Sequence, residues 1–277
     1  VEGGDLIISG SCTTCGGDVV RLVEGDGINV PVTKKIKKPT PKELKCTNPN
    51  ISKLAQFRAG TKAAKTIEDV KKLKLETFGL WNPKDEFPEE EDYDLQPPYD
   101  SIFEAGPRPA WEMENILPGH QTGDFDCPIG AGIDIFEAGD WYGAIKHMKG
   151  LIKQDERCLD AYAHLGNWYF SYGEPHELNT AKNFYKTGVA IGLKSMGDKV
   201  NDVFPWGLID NRPFFRCLHG LGLCFYKQRK PTEALRIFSK MIWMNPNDNQ
   251  GARILIQDLV NGLSWEDSVS QEDEMMH

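Results

Sequence analysis

At 277 residues, with 40% hydrophobic and 26% charged side chains, the chain has enough apolar material for one large core or two small ones. A formal net charge of -9 excludes a surface built throughout to grip nucleic acid. No run approaches the roughly 20 apolar residues of a membrane helix, the opening lacks a basic and then apolar leader, and seven scattered cysteines do not form the paired framework of a small secreted domain, so a reduced, cytoplasmic setting is expected.

In chain order, Leu6, Ile7 and Ile8, then Val19, Val20, Leu22 and Val23, flank a glycine-containing turn and predict a β-hairpin within residues 1–33. The turn, SGSCTTCGGDV, carries Cys12 and Cys15. Two thiolates at that spacing can reach one tetrahedral ion, which gives a zinc-ribbon-like knuckle as one reading. A full site needs four ligands and only Cys46 lies nearby, so a tight turn with two ordinary thiols is the other. Lys34, Lys35, Lys37, Lys38, Lys42 and Lys45 follow. Such a cluster can touch phosphates, but no aromatic residue interleaves with it to stack bases, and a solvated linker is expected. Residues 34–128 read as a connector, first basic, then acidic and proline-rich, with one or two helices before residue 80 and an extended, surface-lying course over 81–128. The run EEEDYD lacks the ligand spacing and central glycine of a calcium loop.

From about residue 129 the period turns helical. The stretch CLDAYAHLGNWYFSYG places Gly166 inside a helix, where glycine costs about 1 kcal/mol relative to alanine, so a close approach by a neighbouring element should offset it. Tyr162, Leu165, Gly166 and Tyr169 recur in kind and order as Leu218, Leu221, Gly222 and Phe225. Each set precedes an amphipathic segment with an alanine and, four residues later, an aromatic: Ala181 with Tyr185, Ala234 with Phe238. A degenerate copy holds Gly132, Ile135, Gly139, Ala144, Met148 and Leu151.

This pattern resembles the tetratricopeptide repeat, a helix-turn-helix unit of about 34 residues with small residues where its helices cross. The resemblance implies a mainly α architecture: an α-solenoid of about three helix pairs over 129–264, preceded by the small N-terminal module and followed by an acidic tail at 265–277. On this reading Gly166 faces Ala181 and Gly222 faces Ala234. NDNQGARILIQDLVNGL would be the final capping helix. The segment 192–213 is an insertion between repeats, with Phe204 and Trp206 exposed on it.

By family position, the first helix of each repeat lines a concave surface. The resemblance then places Asn167, Phe170, Arg216, His219, Tyr226 and Lys227 there, with Arg216 and Lys227 exposed. Cations, an amide and aromatics suit an extended peptide bearing carboxylates. Asn167 takes the place of the asparagine of the family's carboxylate clamp, but Ala163 stands where that clamp has a basic residue. No H-E-x-x-H, G-x-S-x-G or glycine-rich phosphate loop occurs, and Cys217 and Cys224 read as small core residues. The expectation is a non-enzymatic scaffold or adaptor for a protein or peptide partner, with zinc at Cys12 and Cys15 as the one conceivable cofactor and no membrane partner. The alternative is an accessory subunit of a nucleic-acid-associated complex, using the knuckle and the lysine stretch.

Overall fold

A computed structural model describes residues 6–11, 18–23, 67–87, 99–120, 127–171 and 175–275. The described residues are mainly helical, with two small two-stranded antiparallel sheets. Strand β1 (Leu6–Ser11) pairs with β2 (Asp18–Val23) in the register Leu6↔Val23 to Ser11↔Asp18, and β2 runs near helix α5 (Leu159–Ser171). Cys12, Cys15 and the lysine stretch lie outside the described residues.

The second sheet corrects two expectations: the helical reading before residue 80, where β3 stands from Leu75, and the extended surface course over 81–128. Strand β3 (Leu75–Trp81) pairs with β4 (Arg108–Met113), with a bulge between Thr77 and Gly79 where Gly79 takes a φ of 112°. Two short helices, α1 (Pro83–Glu86) and α2 (Tyr99–Ala105), lie between the strands. Trp81, Phe87, Ile102, Ala110 and Met113 are buried, so this unit is part of the core rather than a cover over it.

Three helix pairs follow: α3 (Pro128–Glu137) with α4 (Trp141–Gln154), α5 with α6 (Pro175–Met196), and α7 (Arg212–Lys227) with α8 (Pro231–Met244). Their starts carry local signals. Asp140 caps α4 by accepting from Gly143 N at 2.8 Å, and prolines open α3, α7 and α8 where a missing N–H is harmless. Helix α6 packs against both α5 and α7, and α5 packs directly against α7. Helix α9 (Ala252–Asn261) covers α8, and Gly262, with a φ of 75°, ends it and turns the chain into α10 (Trp265–Met275). Strand β1 runs near α10. Residues 265–275 thus form a helix within the stretch expected as an acidic tail.

The glycines set the helix spacing, though not against the alanines expected. A Cβ at Gly166 would run into the ring of Tyr185, and so would a Cβ at Gly220. Tyr185 is fully buried between α5 and α7, and its hydroxyl donates to Asn167 Oδ1 at 2.6 Å. Gly222 is small because Phe238 fills its notch, and Gly192 because Phe214 does. A filled notch is a large dispersion contact between backbone and ring, and it offsets the poor helix propensity of glycine. Around the first pair, Phe136 stacks on Trp168 at 4.7 Å and Tyr169 on Phe184 at 5.6 Å, with Trp141 edge-on to Tyr169.

The expected insertion joins the helices to the second sheet. Val203 bridges Ala110 in parallel, through Trp111 N to Val203 O and Val203 N to Pro109 O, both 2.9 Å. Phe204, expected exposed, is fully buried, and Trp206 is partly buried. Asn211 accepts from Met113 N at 2.8 Å and donates to the carbonyls of Trp111 and Pro205. Arg108 lies between the rings of Trp81 and Trp243, at 5.4 and 4.3 Å, and donates to the carbonyls of Asn201 and Trp243. Burial lowers its pKa to about 10, with Asp202 opposing the shift. Lys194 ties the segment before β3 to α6 by donating to the carbonyls of Ile67, Glu68 and Val70.

Candidate interaction site

Of the six residues assigned to a concave surface, Asn167 and Phe170 lie on α5 and Arg216, His219, Tyr226 and Lys227 on α7, two helices that pack on each other, and most of the six are covered along that α5/α7 face. Phe170, His219 and Tyr226 are buried, at 1, 5 and 3% exposure; Asn167 and Lys227 are half-buried. Ala163 of α5 and Leu223 of α7 are buried too.

At one end of the face sits an ion pair between helices. Arg216 Nη1 of α7 donates to Asp160 Oδ1 of α5 at 2.6 Å, with side-chain exposures of 11 and 3%. Arg216 is therefore a buried link between helix pairs, which corrects its expected role as an exposed anchor. His164, one turn on from Asp160, is buried with Nε2 3.9 Å from Asp160 Oδ1 and no hydrogen-bond partner at that nitrogen. Burial pushes its imidazole down to about 4; Asp160 opposes the shift and Arg216 adds to it. The thiols nearby are held protonated. Burial raises Cys158 to about 12 and Cys217 well above the ordinary thiol range, so neither supplies a thiolate nucleophile at neutral pH.

At the other end the face is occupied by the chain itself. Trp265, at the start of α10, meets Phe170 edge-on at 5.7 Å and Tyr226 edge-on at 5.7 Å. Lys227 Nζ lies 5.1 Å from the centre of the Phe170 ring and 5.9 Å from that of Trp265. The Tyr226 hydroxyl donates to the carbonyls of Leu263 and Ser264, each at 3.2 Å. Burial pushes that phenol up to about 12, with a hydrogen bond to Ser268 opposing the shift and the carboxylates of Asp258, Asp267 and Glu266 adding to it, so it stays a donor. Phe170, Tyr226 and Lys227 together make a cup for one indole and two backbone carbonyls.

Asn167 has a different task from a clamp asparagine, since its side-chain oxygen receives the Tyr185 hydroxyl and locks the α5–α6 crossing. His219 packs near Phe238, 5.9 Å between ring centres. Sequence reasoning missed Asp160 and Trp265, and had Tyr185 only as the aromatic of the repeat pattern. The signal for Trp265 was present in Ser264-Trp265-Glu266-Asp267: Ser264 Oγ accepts from Asp267 N at 3.1 Å while Asp267 Oδ2 accepts from Ser264 N and Oγ, a reciprocal start for a helix rather than for a tail.

Among the described residues no group of three or more His, Cys, Asp or Glu is placed to hold a metal, and no helix is long and apolar enough to cross a membrane. No protein-family model matches the chain, and no curated protein matches it.

Proposed function

We propose that the chain is a non-enzymatic protein-interaction module of the helical-repeat kind, similar in organisation to tetratricopeptide arrays, whose concave face is lined by α5 and α7. Its partner is a protein or peptide segment. The observation that carries this reading is the seat of Trp265: three residues drawn from two repeats converge on one aromatic side chain and on the backbone carbonyls before it. Aromatic and cationic anchors around a single buried ring are the composition of a recognition hot spot. The close packing of α5, α6 and α7 around Tyr185 supports the reading by holding the cup's two walls at fixed spacing.

Quantitative affinity capture from the source organism tests it with three baits: the wild-type chain, Trp265→Ala, and Trp265→Ala combined with Lys227→Glu. A partner of the concave face should be enriched on the first variant and lost again on the second. Equal yields of the same proteins on all three baits would remove the concave face as the site.

A further inference from the structure

We infer that residues 263–268 are a resident ligand of the α5/α7 cup, and that the external partner is a segment of the same chemistry, an aromatic residue followed at once by acidic ones, which must displace them. The inference rests on the interaction-module reading and adds the identity of the occupant and the competition for the seat.

Four observations distinguish the segment from a fixed wall of the fold. Capping is already done by α9, which covers α8 before the chain reverses at Gly262. Beyond Gly262, only Trp265 and Ser268 are buried among residues 263–270, while Glu266, Asp267 and Ser270 are exposed. The segment is held by the Trp265 indole, by two carbonyls on the Tyr226 hydroxyl, by Glu266 on Arg229 and by the Ser268 hydroxyl on Asp258, with Leu263 N on the Asp258 carbonyl and Val269 against the core; of these, the ring, the carbonyls and the carboxylate are contacts another peptide can supply. Its helix start is self-contained, since Ser264 and Asp267 satisfy each other's backbone groups without help from the rest of the chain.

The chemistry of the partner follows from what surrounds the indole. Edge-on packing by Phe170 and Tyr226 selects a flat aromatic ring, and Lys227 over Phe170 and Trp265 completes the seat with a cation. Past the ring, Glu266 reaches Arg229 at 3.7 Å, and the sequence continues with Asp267, Glu272, Asp273 and Glu274. A carboxylate beside Arg229, as Glu266 is, contributes on-rate and register, while the aromatic ring contributes residence time. A resident segment lowers the apparent affinity of any competitor by the fraction of time the cup is open.

The test uses a synthetic peptide of residues 262–275, titrated calorimetrically into the full chain and into a chain ending at residue 262, with circular dichroism recorded first. The expected result is saturable binding to the shortened chain, at least tenfold weaker binding to the full chain, and at least tenfold weaker binding of a Trp265→Ala peptide to the shortened chain. If the shortened chain does not fold, the full chain carrying Trp265→Ala takes its place. A folded host that ignores the peptide overturns the inference, as does failure of both hosts to fold, which would make the segment structural. Dimerisation of the wild-type chain that Trp265→Ala abolishes would assign the seat to a second copy and overturn the external partner. Peptide binding without any captured protein would leave the resident ligand standing and remove the interaction-module reading; capture indifferent to residue 265 would do the reverse.

Discussion

Replacing Arg216 with alanine removes one half of the ion pair that joins α5 to α7. The carboxylate left behind, Asp160, is 3% exposed at its side chain, and its Oδ1 loses a donor at 2.6 Å. Its remaining cationic candidate is His164, 3.9 Å away, whose imidazole burial keeps neutral above about pH 4. A buried charge stripped of its partner costs about 3–5 kcal/mol. At about 2–4 °C per kcal/mol for a domain of this size, the melting temperature should fall by on the order of 10 °C. Differential scanning calorimetry at neutral pH measures it. Adding Asp160→Ala should recover most of the loss, because removing both members of a buried pair is far less costly than removing one. The sequence-based view of Arg216 as an exposed anchor expects almost no change, within about 0.5 kcal/mol. A melt of Arg216→Ala indistinguishable from wild type would therefore refute the buried-pair account and restore the exposed one.

Three further outcomes follow from the packing. Gly220→Ala and Gly166→Ala each push a methyl into the Tyr185 ring and should cost about 1–3 kcal/mol in urea denaturation, while Tyr185→Phe, which keeps the ring and loses only the bond to Asn167, should cost about 0.5–1.5 kcal/mol; unchanged midpoints in the glycine variants would deny the ring its seat. His164 stays neutral in the folded chain down to about pH 4, whereas in the unfolded chain it protonates near 6.5, so its contribution to stability is full above about pH 6.5 and is lost as pH falls toward 4. His164→Gln should flatten the stability profile across that window by up to about 1.4 kcal/mol per pH unit, and an identical slope would contradict the burial. Arg108→Met should loosen the second sheet from α8, costing about 1.5–3 kcal/mol through the lost charged hydrogen bonds, with a change in near-ultraviolet dichroism from Trp81 and Trp243; a silent spectrum would count against the Arg108 stack.

The helix pairs were legible because their signals are local. Gly166 and Gly222, each with an aromatic in the following helix, mark close crossings whatever the rest of the chain does. The partner was misplaced by one turn, from Ala181 to Tyr185 and from Ala234 to Phe238. Helical side chains lean toward the N-terminus, so a ring covers the turn before its own Cα, and the alanine marks the gap that the later aromatic reaches back to fill. The second sheet was not legible. Its strands pair across residues 75–113 and then with Val203, and prolines beside them, such as Pro83 and Pro109, read locally as connector. For the site, the family resemblance assigned Asn167, Phe170, Arg216, His219, Tyr226 and Lys227 to one surface, which is as far as a repeat pattern reaches. It could not tell that Asp160 neutralises Arg216 from another helix, or that Trp265 returns to cover Phe170, since both are contacts between distant segments.

Photo-cross-linking from position 227 tests the central claim most directly. With p-benzoylphenylalanine in place of Lys227, the otherwise wild-type chain should cross-link to its own residues 263–268, because Lys227 lies within 5.9 Å of the Trp265 ring. With Trp265→Ala added, in lysate of the source organism, the same position should cross-link to a second protein, at a segment where an aromatic residue precedes acidic ones. Cross-links confined to water or to the chain itself in both variants, with the helical dichroism intact, would contradict an interaction site at this cup.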